Sequence, residues 1–245
     1  MSKTVLVTGA SSGIGRAAAI AFAQRGDNVV LGGRSAPKLD AVMREIGVPH
    51  RVRAVAADIG EVETASRLVA AAVDAFGGLD VLVNSAGGFA VKPFVDFSSE
   101  EIDRLFATNL KGTFLVTQAA VRRMKTQGRG GAIVNVTASI AIRGWTAIPA
   151  TAASATKGAL NTITSNLGLE LAADNIRVNA VAPGLIKTPL HGRTEEQFAE
   201  LDGLQPLRRM GSTKDVTDAI LYLADADFTT GTILPVDGGV TAGHW

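Results

Sequence analysis

The chain has 245 residues, of which 47% are hydrophobic and 19% are charged, so it is long and apolar enough to bury a sizeable core. Its 24 basic and 23 acidic residues leave a formal net charge of +1, which gives no broad electrostatic reason to expect a nucleic acid or an anionic membrane as a partner. With no cysteine, and with three histidines that are not spaced as ligands, no metal site is expected, and a reducing, cytoplasmic location is predicted.

Short runs rich in β-branched residues alternate with longer Ala-rich amphipathic stretches, a pattern typical of repeated βα units with parallel strands. The predicted strands are Thr4–Val7, Val29–Leu31, Arg51–Ala56, Val81–Val83, Ala132–Val136, Arg177–Ala182 and Thr232–Val236. The predicted helices are Ile14–Arg25, Pro37–Ile46, Val62–Phe76, Glu100–Thr126, Ser154–Ala173 and Thr213–Ala224. No apolar run is long enough to span a bilayer, and the first strand starts too early for a signal peptide.

Right-handed crossovers between these units predict a single-domain, Rossmann-like, doubly wound α/β fold over residues 1–245, with about seven parallel strands and helices on both faces. Ligands of such sheets bind beyond the carboxyl ends of the strands. The segment 187–206 follows a Pro-Gly turn and lacks strand character. It is interpreted either as a substrate lid or as a plain surface loop.

A glycine-rich turn, Thr8-Gly9-Ala10-Ser11-Ser12-Gly13-Ile14-Gly15, joins the first predicted strand to the first predicted helix. Glycines in such a turn permit a close approach of the backbone to a pyrophosphate and close packing of helix on strand. The helix that follows points its first N–H groups at the anion. Three glycines in a loop are a weak signal, and it is their place between strand and helix that predicts a dinucleotide site.

The spacing Gly-x-x-x-Gly-x-Gly resembles that of the short-chain dehydrogenase/reductase family, and the resemblance runs almost from end to end. Asn84-Ser85-Ala86-Gly87 is similar to the family's Asn-Asn-Ala-Gly, and Asn109 matches its helix-embedded catalytic-site Asn. Arg177–Gly184 resembles the strand and turn that flank the nicotinamide, and Val236-Asp237-Gly238-Gly239 resembles the family's ending. Because family members assemble as dimers or tetramers, the resemblance also implies a homodimer or homotetramer.

The resemblance implies an oxidoreductase that transfers hydride between a nicotinamide cofactor and a small carbonyl or secondary alcohol substrate. In the family a Ser orients the carbonyl, a Tyr acts as general acid or base, and a Lys four residues later lowers the Tyr pKa and holds the nicotinamide ribose. The residues carried over to cofactor binding are Gly9, Ser11, Ser12, Gly13, Ile14, Gly15, Arg34, Ser35, Asp58, Ile59, Asn84, Ala86, Gly87, Lys157, Pro183, Gly184, Ile186 and Thr188.

The end of the second strand distinguishes NAD from NADP. An NAD site usually places a carboxylate there for the ribose 2′-hydroxyl, whereas a nearby Arg accommodates a 2′-phosphate. Here the segment reads Leu31-Gly32-Gly33-Arg34-Ser35, without an acid, so NADP is favoured over NAD. The alternative is that Arg34 is only an exposed turn residue. Asp58 resembles the family's adenine-contacting acid, which serves either cofactor.

The chain departs from the family at the catalytic tyrosine. Lys157 fits the family Lys, but the Tyr position four residues earlier is Ala153, which has no proton to donate. Tyr222 is the one tyrosine of the chain, and its apolar helical neighbours indicate a packing residue. No tyrosine is therefore expected to replace the missing acid.

The family serine is also replaced, because its position three residues after Asn135 is Ala138. A shift of one residue or a bulge after the strand would bring the hydroxyl of Ser139 or Thr137 to the site instead.

Three explanations remain open for the two alanines. The first is a divergent enzyme with catalytic residues Lys157, Asn109 and Ser139, whose proton comes from Ser139, Ser154, Thr151, Lys157 or an ordered water. The second is deliberate replacement of Ser and Tyr by Ala. The third is a protein that binds NADP without turnover, as a regulatory protein or a silent partner subunit. The three explanations are given in order of preference, with the divergent enzyme first.

The substrate pocket is predicted to be apolar, with one titratable group. His191 is interpreted either as an alternative proton donor, by its pKa, or as a solvent-facing loop residue. The predicted lining residues are Leu185, Ile186, Leu190, His191, Phe198, Phe89, Phe94 and Trp145.

Overall fold

A seven-stranded parallel sheet forms the centre of the computed structural model, which describes residues 2–146, 148–188 and 200–243. Its strands are β1 (Thr4–Thr8), β2 (Asn28–Gly33), β3 (Val52–Ala56), β4 (Val81–Asn84), β5 (Gly131–Val136), β6 (Ile176–Pro183) and β7 (Ile233–Val236). They lie in the order β3-β2-β1-β4-β5-β6-β7, and every neighbouring pair is parallel. The predicted doubly wound α/β fold is confirmed.

Helices cover both faces of the sheet. The described helices are α1 (Gly13–Gln24), α2 (Ala36–Ile46), α3 (Thr64–Phe76), α4 (Ser99–Leu105), α5 (Thr113–Gln127), α6 (Thr151–Glu170) and α7 (Thr213–Asp225). Successive strand side chains point to opposite faces, so Val5 and Val7 of β1 pack in the core beneath α1, α2 and α7. Leu6, between them, packs in the core beneath α3 and α5. Burial on both faces explains why the interior of β1, Val5 to Val7, is a continuous apolar run.

The predicted helix Glu100–Thr126 contains a change of helix type. A π-helical segment, Phe106–Gly112, separates α4 from α5. Such segments are frequent at functional sites, and this one carries Asn109. At its end, a Cβ on Gly112 would lie 2.5 Å from the carbonyl oxygen of Ile59, so only glycine lets the helix pack against this loop.

Several predicted boundaries are wrong by one to three residues. The helix predicted from Val62 begins at Thr64, and the helix predicted over Ser154–Ala173 begins at Thr151 and ends at Glu170. Arg51 belongs to a 3₁₀ turn that precedes β3. The earlier start of α6 matters most, because it places Ala153 inside the helix that carries Lys157.

None of the helices within the described ranges combines the length and the apolarity needed to cross a bilayer. Over those same ranges, no three His, Asp or Glu side chains are grouped so that they could hold a metal ion.

Candidate active site

A cavity of about 510 Å³ opens at the carboxyl ends of β1 to β6, where parallel strands bring their loops together. Most of the predicted cofactor-binding residues lie on its wall: Gly9, Ser11, Ser12, Gly13, Ile14, Arg34, Asp58, Ile59, Ala86, Gly87, Lys157, Pro183, Gly184, Ile186 and Thr188. Gly15, Ser35 and Asn84 do not line it.

The turn after β1 has room for glycine only. Gly9 has a φ of +68°, and a Cβ there would lie 2.8 Å from the Cα of Ala86. A Cβ on Gly15 would collide with the carbonyl oxygen of Gly9. These close approaches leave the start of α1 open to the cavity, and its first turn contains no acidic residue. A cofactor phosphate fits this arrangement, because N–H groups at a helix start favour an anion.

The cavity wall beyond β2 carries a positive charge and no carboxylate. Arg34 is exposed there and forms no hydrogen bond or ion pair with another residue of the described ranges. Ser35 directly precedes α2, outside the cavity wall. Asp58, after β3, lies on the wall and accepts a hydrogen bond from the backbone N–H of Gly60 at 2.9 Å.

Asn84 lies in the core behind the cavity. Its Nδ2 donates to Thr117 Oγ1 and to Asn135 Oδ1, both at 2.9 Å. The turn that follows is held by Thr8, whose hydroxyl oxygen accepts from the backbone N–H groups of Ser85 and Ala86 at 3.1 Å. The Asn84 side chain therefore ties the end of β4 to α5 and β5 and does not reach the cavity.

Asn109 is fully buried behind the same turn. Its Oδ1 accepts from the N–H of Gly88 at 2.7 Å, and its Nδ2 donates to the carbonyl of Gly88 at 2.9 Å and to Thr156 Oγ1 at 3.0 Å. Thr156 in turn donates to the carbonyl of Ala153 at 2.9 Å. The amide thus ties the turn after β4 to α6, and its geometry is that of a positioning residue.

Lys157 brings a buried amine to the cavity wall. Its Nζ donates to the carbonyl of Val136 at 2.7 Å and lies 3.2 Å from where a Cβ on Gly87 would be. No Asp or Glu of the described ranges forms an ion pair with it. Because burial penalises the ammonium form, the pKa of Lys157 is lowered to about 8.

Both alanines lie where the family resemblance placed them. Ala153 is in the first turn of α6, four residues before Lys157, and is completely buried. Ala138 lies on the cavity wall just after β5. Neither position offers a hydroxyl to a substrate.

Ser139 and Thr137 are the neighbouring hydroxyls on the wall. Thr137 donates to the carbonyl of Val181 at 3.2 Å, whereas the Ser139 hydroxyl bonds to no described residue. Thr151 and Ser154 do not line the cavity. Of the described side chains proposed from the sequence as proton donors, Ser139 and Lys157 therefore reach the cavity.

Tyr222 is more exposed than the sequence indicated. It was expected to pack among apolar neighbours, but 59% of its surface is accessible, because it lies on the outer side of α7. The expectation that Tyr222 is a packing residue is wrong.

The remaining wall is largely apolar. Phe89, Trp145 and Leu185 line it, as the sequence predicted. Ile148, which was not predicted, lines it as well. Phe94 does not, because it is 74% exposed on a surface turn. Leu190, His191 and Phe198 lie outside the described residues, as does most of the segment interpreted as a lid.

Sequence reasoning missed Arg104 and Thr108, which also line the cavity. Their spacing of four residues is the available signal, because it places them on one helical face.

Gln205, within the predicted lid segment, was also missed. Its buried amide accepts from the N–H of Leu185 at 3.0 Å and donates to the carbonyl of Arg209 at 2.7 Å. Gly184 makes room for this side chain, because a Cβ there would collide with Oε1 of Gln205. The loop after β6 is thereby fixed where it borders the cavity.

Comparison with known proteins agrees with this architecture. The family model described as enoyl-(acyl carrier protein) reductase matches residues 9–241. The chain is 39% identical to L-rhamnose 1-dehydrogenase (NAD(P)(+)) of Azotobacter vinelandii, over 98% of this chain and 97% of that protein. It is 38% identical to 3-oxoacyl-(acyl-carrier-protein) reductase of Thermotoga maritima, with 97% of each covered.

Among solved structures, a short-chain type dehydrogenase/reductase from Mycobacterium marinum superposes with a TM-score of 0.93 at 33% identity, covering 98% of this chain and 96% of that chain. The fold and the cavity define a dinucleotide-type α/β oxidoreductase. The chain belongs to the short-chain dehydrogenase/reductase family.

Proposed function

We propose that this protein is an NADP-dependent oxidoreductase that transfers hydride between the nicotinamide and a carbonyl or secondary alcohol substrate. The observation that carries the proposal is one continuous cavity that has the glycine turn and Arg34 on its wall together with Lys157. When bound, the cofactor supplies the hydride. The relatives named above act on L-rhamnose and on a 3-oxoacyl carrier protein, so they support the reaction class rather than one substrate.

NADP is proposed over NAD because of the charge beyond β2. A 2′-phosphate would meet Arg34 there, and no carboxylate follows that strand to accept a 2′-hydroxyl. The adenine would lie toward Asp58, and the pyrophosphate toward the start of α1. The whole described chain would act as one catalytic domain.

Two side chains are proposed to replace the missing hydroxyls. Ser139 donates its free hydroxyl to the substrate oxygen, and Lys157 holds the proton that this oxygen takes up as the carbonyl is reduced. A general acid works best when its pKa is near the operating pH, and burial brings the pKa of Lys157 to about 8. The rate of carbonyl reduction should therefore fall as the pH rises through about 8, because the acid loses its proton.

The test is to titrate the protein with NADPH and with NADH by cofactor fluorescence, and then to follow cofactor absorbance with aldehydes and ketones. We expect tighter binding of NADPH than of NADH, together with slow turnover of at least one carbonyl compound. Absence of binding by either cofactor would contradict the proposal. Tight NADPH binding without turnover would favour the second candidate, a silent NADP-binding subunit, which the two alanines support.

We also propose a homodimer or homotetramer. A shallow apolar groove between α5 and α6 is lined by Leu110, Phe114, Leu115, Ala159 and Ile163, and Phe114 is 51% exposed. Exposed apolar patches of this kind mark interfaces between subunits. Light scattering should give a multiple of the chain mass, and Phe114→Glu should lower it; a monomeric mass for the unsubstituted protein would contradict the proposal.

A further inference from the structure

The environment of Lys157 suggests chemistry that does not need the cofactor. We propose that the Nζ of Lys157 is a carbonyl-reactive amine, which condenses with an aldehyde that enters the cofactor-free cavity and holds it as an imine. The inference uses the same cavity as the proposed oxidoreductase function but does not depend on hydride transfer.

The geometry leaves this amine with few partners. Its one hydrogen-bond acceptor among the described residues is the carbonyl of Val136, and Nζ lies at the cavity wall beside Gly87. Ala138 on the cavity wall and Ala153, four residues before Lys157 on α6, carry methyl groups and no hydroxyl that could bond to the amine. Nothing in the described part of the chain ties down the nitrogen lone pair once the ammonium loses its proton.

Burial favours the neutral form of this amine, and no carboxylate of the cavity wall pairs with it to restore the ammonium. The other charged residues of its described wall are Arg34, Asp58 and Arg104, so cations outnumber carboxylates. Asp58 is held by the backbone N–H of Gly60 rather than by Lys157. Since an amine with a pKa of about 8 replaces one of 10.5, its neutral fraction at neutral pH is roughly 300-fold larger than that of an ordinary lysine.

The step balances without a redox partner. The lone pair of Nζ adds to the carbonyl carbon as the C=O π bond breaks, and the first of the two nitrogen protons passes to the carbonyl oxygen to give a carbinolamine. Loss of the second nitrogen proton and of the hydroxyl group, together as water, leaves a C=N bond between the aldehyde carbon and Nζ. Lysines desolvated in apolar pockets are activated as nucleophiles in this way.

The apolar wall indicates which aldehydes fit. Phe89, Trp145 and Ile148 line the same cavity, so an aldehyde with an aromatic or aliphatic body buries that surface while its carbonyl reaches Lys157. An aromatic aldehyde is therefore the suitable probe.

The experiment treats the intact protein near neutral pH with benzaldehyde and sodium cyanoborohydride, which reduces an imine to a stable benzyl amine. Peptide mapping by mass spectrometry then follows the labelling rate at each lysine. We expect Lys157 to gain one benzyl group ~10-fold faster than Lys38, an exposed lysine that pairs with no other described residue, because the larger neutral fraction of Lys157 outweighs its lower basicity and narrower access. Lys214, which pairs with Asp218 on α7, serves as a control remote from the cavity. Lys157→Arg should abolish the fast label, and Lys214→Arg should leave it unchanged.

Labelling that follows exposure alone, with Lys157 no faster than Lys38, would overturn the proposal. This comparison is made within the unsubstituted protein, so it holds even if Lys157→Arg does not fold. Saturating NADPH should slow the label at Lys157 and not at Lys214. A fast label that NADPH does not slow would contradict the proposed cofactor site while supporting the reactive amine.

Discussion

The double substitution Ala138→Ser with Ala153→Tyr is expected to raise kcat for carbonyl reduction by roughly 10²–10⁴-fold, which is the usual contribution of a positioned general acid. Ala153 lies one helical turn before Lys157 on α6, so a phenol introduced there emerges on the face that carries the amine. The neighbouring ammonium then favours the phenolate and lowers the pKa of the new tyrosine. Cofactor absorbance at saturating NADPH, with the aldehydes and ketones used above, measures the change.

The matched control is Ala138→Ser with Ala153→Phe, which adds the same ring without the hydroxyl. Since Ala153 is completely buried, both rings must displace neighbouring atoms and should destabilise the fold. Thermal unfolding of the two variants shows whether the Tyr and Phe rings lower the stability by the same amount. Equal rates in folded Tyr and Phe variants would mean that the hydroxyl supplies no proton. That result would contradict the role assigned to position 153.

The glycine turn shows which features a sequence can predict. Gly9 and Gly15 are required by contacts with the turn after β4 and within the turn itself, and glycines with these roles mark the first βα turn of dinucleotide-binding sheets. The position of Lys157 relative to Ala153 was equally predictable, because it depends on a spacing of four residues along one helix.

The start of α6 was not predictable from local signals. Ala150 occupies the position before the helix and makes no side-chain cap, so the sequence lacks the Ser, Thr, Asp or Asn that usually marks a start there. The helix was therefore predicted from Ser154, three residues after its first residue, Thr151. Ala153 and Thr156 are both buried, and Thr156 bonds to Asn109 and to the carbonyl of Ala153, so contacts formed by the fold hold this first turn without a cap.

The other features of the site that the sequence did not predict depend on contacts that form only in the folded chain. The side-chain amide of Gln205 bonds to backbone groups of Leu185 and Arg209. Because every residue has these backbone groups, the sequence does not indicate which of them Gln205 contacts. Asn109 was predicted as catalytic from its motif, yet its amide is used by Gly88 and Thr156. A motif locates such a residue, but only the fold shows which of its atoms remain free.

Arg34→Ala is expected to weaken NADPH binding by ~10–100-fold and to leave NADH binding within ~2-fold, because a hydrogen bond to a charged group contributes ~1.5–3 kcal/mol. The 2′-phosphate is the one group that the two cofactors do not share. The difference between the losses of NADPH and NADH affinity therefore measures the contact of Arg34 with this phosphate. Since Arg34 bonds to no other described residue, its removal should cost little stability. Fluorescence titration of both cofactors, at low and at moderate salt, is the measurement.

Arg44→Ala is the matched control, because Arg44 is also exposed, on α2, but does not line the cavity. It should change NADPH affinity only through long-range charge, an effect that salt screens. If Arg34→Ala weakened both cofactors equally, Arg34 would contact a part that they share, such as the pyrophosphate or adenine. NADP preference would then have to come from another cation, and Arg104 is the remaining arginine on the described cavity wall.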